Sequence, residues 1–169
     1  MATEEQSQYN AVNFILPTRP KLGQRLTISD RTVSKLSFVL EQHGSISGDV
    51  SFTIRKVSDD SVVATKVWGD AGDIPTDPTC LEATFDTPVY VNEEVRIVAE
   101  WPTATYSTTN NLRFHLQTTD VKADELYTHY QNDAWDEPYA WDAPYKYTYE
   151  AGKIGMRGLN PALMEVLGY

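Results

Sequence analysis

At 169 residues the chain is long enough for one domain that buries roughly two thirds of its unfolded surface, so neither a metal nor a disulfide is needed for folding. Its 14 basic and 24 acidic side chains give a formal charge of -10 with no basic cluster. That balance argues against nucleic acid or an anionic membrane as a partner, because both are held through lysine and arginine patches.

The N-terminus, Met-Ala-Thr-Glu-Glu-Gln-Ser-Gln, is acidic and polar, the reverse of a secretory signal. No stretch approaches the roughly 18 to 20 apolar residues of a spanning helix, so no membrane insertion is expected. Residues 1–23 have no sustained period and read as an extended N-terminal arm. Its apolar patch, Ala11-Val-Asn-Phe-Ile-Leu-Pro17, is followed by Pro20 and Gly23. Val12, Phe14, Ile15 and Leu16 there suit packing across their own domain or crossing to a neighbouring subunit, and the second option makes them assembly candidates.

Residues 24–150 read as one sandwich domain. Gln24 to Ser29 supplies a first strand with Leu26 and Ile28 inward. From Thr32 to Glu41, Leu36, Phe38 and Leu40 alternate with Ser37, Val39 and Glu41, the period of a strand with one buried face. A turn with two glycines, His43-Gly-Ser-Ile-Ser-Gly-Asp49, leads into Asp49 to Arg55, where Val50, Phe52 and Ile54 face inward. Ser58-Asp-Asp-Ser61 makes the next turn and Val62 to Trp68 the next strand.

A long loop punctuated by glycine and proline, Gly69 to Pro78, comes next. Cys80 beyond it is the only cysteine, so no internal disulfide can form. Among Pro78, Thr79 and Leu81 it reads as a small core residue. Leu81, Ala83 and Phe85 alternate, Asp86-Thr-Pro88 turns the chain, and Val89 to Val91 leads into Asn92-Glu-Glu94. Val95, Ile97, Ala99 and Trp101 then share a face until Pro102 ends the run. After a polar loop, Leu112, Phe114 and Leu116 share a face, which sends His115 outward. Tyr145 to Tyr149 is the last strand. About eight short strands without a helical period predict an all-β fold, an antiparallel β-sandwich of jelly-roll type, with an immunoglobulin-like sandwich as the alternative.

The most unusual local feature is the stretch from Leu126 to Tyr149, which holds six of the ten tyrosines and two of the four tryptophans. Ala134-Trp-Asp-Glu-Pro-Tyr139 is followed directly by Ala140-Trp-Asp-Ala-Pro-Tyr145, a tandem repeat with one substitution. The pattern suits a turn, with Asp capping local amides and Pro fixing the backbone. Trp135, Tyr139, Trp141 and Tyr145 fit a self-packed loop, a protein interface or a glycan platform, in which a ring face meets the sugar and an acid accepts its hydroxyl protons.

Acidic side chains gather at Asp59 and Asp60, at Asp70, Asp73 and Asp77, and at Asp133, Asp136, Glu137 and Asp142. None of these loops matches the helix-loop calcium motif, so solvated charge is expected, with no metal and no cofactor. His43, His115 and His129 lack metal-ligand spacing, no Gly-x-Ser-x-Gly elbow occurs, and Cys80 has no local activating partner. No catalytic residue is singled out, and an enzyme is not expected.

Residues 151–169 form a tail. Gly152, Gly155 and Gly158 space a linker, and Asn160 to Gly168 predicts one short C-terminal helix, with Asn160 as N-cap, Pro161 in the first turn and Gly168 at the stop. So short a helix must dock to persist. Leu163, Met164, Val166 and Leu167 are therefore the second set of assembly candidates.

Val33-Ser-Lys-Leu-Ser-Phe38, Gly48-Asp-Val-Ser-Phe-Thr-Ile-Arg55 and Val62-Val-Ala-Thr65 together resemble a β-sandwich module of viral and bacterial surface proteins. Thr87-Pro-Val89 with Asn92-Glu-Glu-Val-Arg-Ile-Val98, and the aromatic loop Tyr139 to Tyr149, resemble later segments of that module. The resemblance covers residues 24–150 and departs from the usual pattern in the acidic tyrosine loop and the tail. It implies a jelly-roll used for attachment, display or carbohydrate contact in tailed-virus particles, of decoration, turret or fibre type. The expectation is a non-enzymatic structural or display subunit of a virion, made in the host cytoplasm. Its expected partners are copies of itself and other virion proteins, with a cell-surface glycan as the alternative ligand.

Overall fold

The computed structural model describes residues 1–137 and 139–151. They form ten strands: β1 (Ala2–Gln6), β2 (Ala11–Ile15), β3 (Lys21–His43), β4 (Asp49–Lys56), β5 (Val62–Asp70), β6 (Thr79–Glu100), β7 (Asn111–Leu116), β8 (Leu126–Gln131), β9 (Ala134–Asp136) and β10 (Tyr145–Ala151). Every pairing is antiparallel. The expected C-terminal helix, with Leu163, Met164, Val166 and Leu167, lies outside the described residues.

The spine is the pair β3 and β6, 23 and 22 residues long. They run antiparallel from Lys21↔Glu100 to Leu40↔Thr79, with register shifts between Ile28 and Arg31 and between Val33 and Lys35. At the second shift the four residues from Phe85 to Pro88 stand against Ser34 alone, which takes Pro88 out of the ladder. Asp30 sits at the first with φ 51, a conformation that aspartate tolerates. Such bulges bend a strand sharply. The segments that the sequence divides into separate strands around 30 and 86 are therefore single bent strands.

Each half of the spine joins a different sheet. In sheet I the order is β9-β8-β3-β6-β4-β5, built on the first half of β3 and the second half of β6. In sheet II the order is β1-β10-β3-β6, built on the other two halves. The end of β3 also pairs β7, which carries β2. Phe38 of sheet II meets Phe52 of sheet I edge-on with centroids 5.2 Å apart, and Phe114 lies 5.5 Å from Phe38. The all-β antiparallel sandwich is thus formed, with Leu22, Leu26, Leu36, Ile54, Ile97 and Trp101 in its core.

Two glycines permit close approaches in this core. A Cβ on Gly23 would lie 1.9 Å from the Ile97 carbonyl oxygen, so β3 and β6 could not pair there with any larger residue. Gly48 has φ +107, and a Cβ there would meet Thr103 Oγ1 at 2.2 Å and the Trp101 indole at 3.2 Å.

Several expectations are corrected. The extended arm packs on its own domain as β1 and β2, strands the sequence did not assign, paired to β10 and β7 of the same chain. It shows no period because β1 is a polar edge strand, held by its ladder rather than by an apolar face of its own. Leu126–Gln131, to which the sequence assigned no strand, is β8. Cys80 is exposed, since it lies on the outer face of β6 opposite Val39. His115 is buried rather than outward, because β2 and Tyr9 cover β7 on that side; Tyr9 meets its ring edge-on at 4.9 Å.

Candidate functional site

The chemistry of the chain concentrates on the outer face of sheet I. Strand alternation puts Leu26, Val95 and Ile54 inward, and the same alternation brings Arg25, Arg96 and Arg55 side by side on β3, β6 and β4. Like charges directly opposite one another on a sheet repel, so the row stands only if neutralised. Glu94 accepts from Arg25 Nε at 2.8 Å and Nη2 at 3.0 Å. Glu100 accepts from Arg55 Nε at 2.8 Å.

Glu137 closes the centre of the row. Its Oε1 accepts from Arg96 Nε at 3.1 Å, Arg96 Nη2 at 3.0 Å and the Thr128 hydroxyl at 3.1 Å, while Oε2 accepts from Arg25 Nη1 at 3.1 Å. Burial opposes the charged form of Glu137, but the donors, led by Arg96, outweigh it and hold the carboxyl below its ordinary value of 4.5. Trp135 roofs the row, with its ring 4.8 Å from the Arg96 guanidinium and its indole N–H donating to Asp60 Oδ1 at 2.8 Å. Lys21 stands 4.3 Å from the centre of the Tyr130 ring beside it. Val98, Thr53 and Thr128 are buried beneath this roof.

Trp135 and Glu137 both come from the first copy of the tandem repeat, and the two copies occupy different environments. In the first, Asp136 is exposed and Trp135 lies on the outer face. In the second, Asp142 is fully buried and accepts from the Val121 and Lys122 amides at 2.6 and 3.1 Å and from Gln24 Nε2 at 2.7 Å. The Gln24 amide also accepts from the Ala143 N–H at 2.7 Å, which pins this copy to β3.

The four residues proposed as one aromatic platform are not brought together. Trp135 is engaged on sheet I. Tyr145 points into the sandwich, where its hydroxyl donates to Glu125 with both carboxylate oxygens at 2.9 Å; burial pushes this hydroxyl well above its usual range and raises the Glu125 carboxyl too. Only Tyr139 and Trp141 adjoin, stacked with centroids 4.0 Å apart and planes at 17°. Tyr139 is 51% exposed, and Trp141 packs half-buried against the core.

Of the arm candidates, Ile15 is buried in its own core and presents no surface to a partner. Phe14 is half-buried edge-on to Tyr106 at 5.4 Å, Leu16 is half-buried in a turn closed on Arg19, and Val12 is exposed. Three of the loop acids hold backbone, Asp59, Asp142 and Asp70; the last accepts from the Gly48 and Gly72 amides at 2.8 Å each, bonds that lower its carboxyl. Among the described residues no group of three or more His, Cys, Asp or Glu side chains is arranged around a metal position.

One surface escaped the sequence reading. β5 is hydrogen-bonded to β4 along one edge and to no described strand along the other. Beside that edge an open groove of about 350 Å³ runs between Val63–Thr65 of β5 and Phe85–Val89 of β6. The β-branched run from Val62 to Trp68 announced a strand, but an edge position follows from the pairing order, which a single strand's pattern does not encode.

The architecture and this face define the class: an all-antiparallel β-sandwich with a roofed arginine row and, among the described residues, an open edge along β5. No family model matches the chain, and no curated protein matches it.

Proposed function

We propose that the chain is a non-enzymatic structural or display subunit that self-associates within a larger particle, of the virion kind its sequence resembles. The observation that carries this reading is the nine-residue edge of β5, on which Val62 and Val67 are 49% and 50% exposed. An open edge offers a row of backbone donors and acceptors, a surface suited to another strand. The ionised side chains of sheet I support a scaffold, since Arg25, Arg55 and Arg96 are engaged with Glu94, Glu100 and Glu137. In this reading the partners are copies of the chain and other proteins of the particle. Light scattering of the full chain over a concentration series tests it. A mass above that of the 19.1 kDa monomer is expected, and a monomer at every concentration overturns self-association.

A second reading, a carbohydrate-binding module, is favoured by the Tyr139–Trp141 stack, whose exposed tyrosine offers a ring face to a sugar. Saturable quenching of tryptophan fluorescence by a glycan, lost in Trp141→Ala, is its expected result. A varied sugar panel that produces no quenching would sink it.

A further inference from the structure

We infer that the free edge of β5 pairs with β5 of a second copy, antiparallel about a two-fold axis through Thr65, so that sheet I continues from one subunit into the next. This rests on the self-association proposed above and names the surface and register that would carry it.

Besides β5, the free edges among the described strands are β1, β2, β9 and the 79–91 half of β6, and they are guarded differently. Proteins blunt free edges with charge, shortness and bulges. β2 has five residues, and the β6 half is interrupted by the bulge from Phe85 to Pro88. β1 has five residues and carries Glu4 and Glu5; β9 has three and ends on Asp136. β5 has nine, and its one basic side chain, Lys66, is turned to Asp86 of β6 at 2.6 Å. Its terminal acid, Asp70, is occupied by the Gly48 and Gly72 amides. β5 carries bulges at Val63 and Trp68, and between them, from Ala64 to Val67, no unpaired charge guards the edge; its two most exposed apolar side chains, Val62 and Val67, lie on the strand.

The sequence of the strand selects the register. In a two-fold antiparallel pair, facing residues lie on the same side of the sheet, so the axis must pass through a residue. Centred on Lys66, the pair would oppose two lysines. With β5 bulged at Val63 and at Trp68, only Ala64 to Val67 can pair regularly. Centred on Ala64, the pair would set Thr65 against the bulged Val63; centred on Thr65, it opposes Thr65 to its own copy and Ala64 to Lys66, and no like charges meet. Thr65 is exposed, and its hydroxyl meets only Thr53 Oγ1, at 2.9 Å, so the position accepts other side chains without disturbing the core.

The axis makes the test specific. Thr65→Lys sets two lysines directly opposite across the axis, with Cβ atoms about 5 Å apart, and Thr65→Glu two glutamates. The full chain and these variants are compared by sedimentation over a concentration series, with Thr65→Ala as control and far-UV circular dichroism to verify folding. The expected results are a dimer for the parent and for Thr65→Ala, self-association at least about tenfold weaker for each charged variant, and recovery of the dimer when Thr65→Lys and Thr65→Glu are mixed in equal amounts. Amide exchange over residues 62–68 is expected to slow as the parent dimerises.

If both charged variants associate as tightly as the parent, this edge is not the interface, while self-association through another surface stands. Failure of the mixture to recover overturns the two-fold register. A parent that stays monomeric overturns both the edge pairing and the self-association it rests on, and exchange over 62–68 that is already slow in that monomer means the edge is covered within its own chain.

Discussion

The indole N–H of Trp135 donates to Asp60 Oδ1 at 2.8 Å and so ties the β8–β9 hairpin to the turn between β4 and β5. These segments lie at opposite sides of sheet I, separated by β3 and β6. The bond thus closes a roof over the Arg25–Arg96–Arg55 row and keeps Arg96 out of water.

Trp135→Phe keeps a ring above Arg96 and loses only the hydrogen bond, so it is expected to cost about 1 kcal/mol. Trp135→Ala removes the roof as well and is expected to cost about 2–3 kcal/mol. Urea unfolding followed by circular dichroism measures both. Equal losses in the two variants would show that the ring over Arg96 adds nothing.

Glu137 makes stability depend on pH. Its folded carboxyl titrates below its ordinary value of 4.5, so the unfolded chain binds the proton more readily. Its contribution is fully present above about pH 4.5 and is lost as pH falls through the folded value. Glu137→Gln is expected to be about 2–4 kcal/mol less stable at pH 7, because it leaves the buried Arg96 short of a counter-charge. The deficit is expected to shrink as pH is lowered from 5 to 3. A deficit that stays constant across that range would mean that Glu137 acts through packing alone.

The tandem repeat supplies its own control. Asp142→Asn replaces a buried acceptor of three hydrogen bonds with a side chain that has one oxygen, and is expected to cost about 2–4 kcal/mol. Asp136→Asn, on an exposed side chain, is expected to stay within about 0.5 kcal/mol of the parent. Thermal melts at pH 7 measure the pair, and similar losses at the two sites would contradict the different environments of the copies.

Period-two alternation made most of the sandwich readable before the fold was known. Leu36, Phe38, Val50, Phe52, Ile54, Val95 and Ile97 are all core residues, because one buried face per strand is a local requirement that each strand meets in its own sequence. β1 and β8 were not readable in that way, since β1 is polar and β8 mixes Tyr127 and His129 with Thr128. A signal for the β8–β9 hairpin did exist: Asn132 and Asp133, both with positive φ, are residue types suited to a two-residue hairpin turn.

The aromatic loop shows the limit more sharply. Two near-identical hexapeptides carry the same local preferences, yet one contributes an outer roof and the other a buried anchor, because β8, Gln24 and the β4–β5 turn are supplied by distant parts of the chain. By itself the sequence determined the all-β character, most inward faces, the acidity and the positions of most turns, all of which depend on neighbours a few residues apart. Only the tertiary structure decided that β3 and β6 each bend through both sheets, that three arginines stand in one row under Trp135 and Glu137, and that β5 is left with an open edge. Those outcomes depend on pairing order and register, which arise from contacts between residues far apart in the chain and leave no period for any single segment to display.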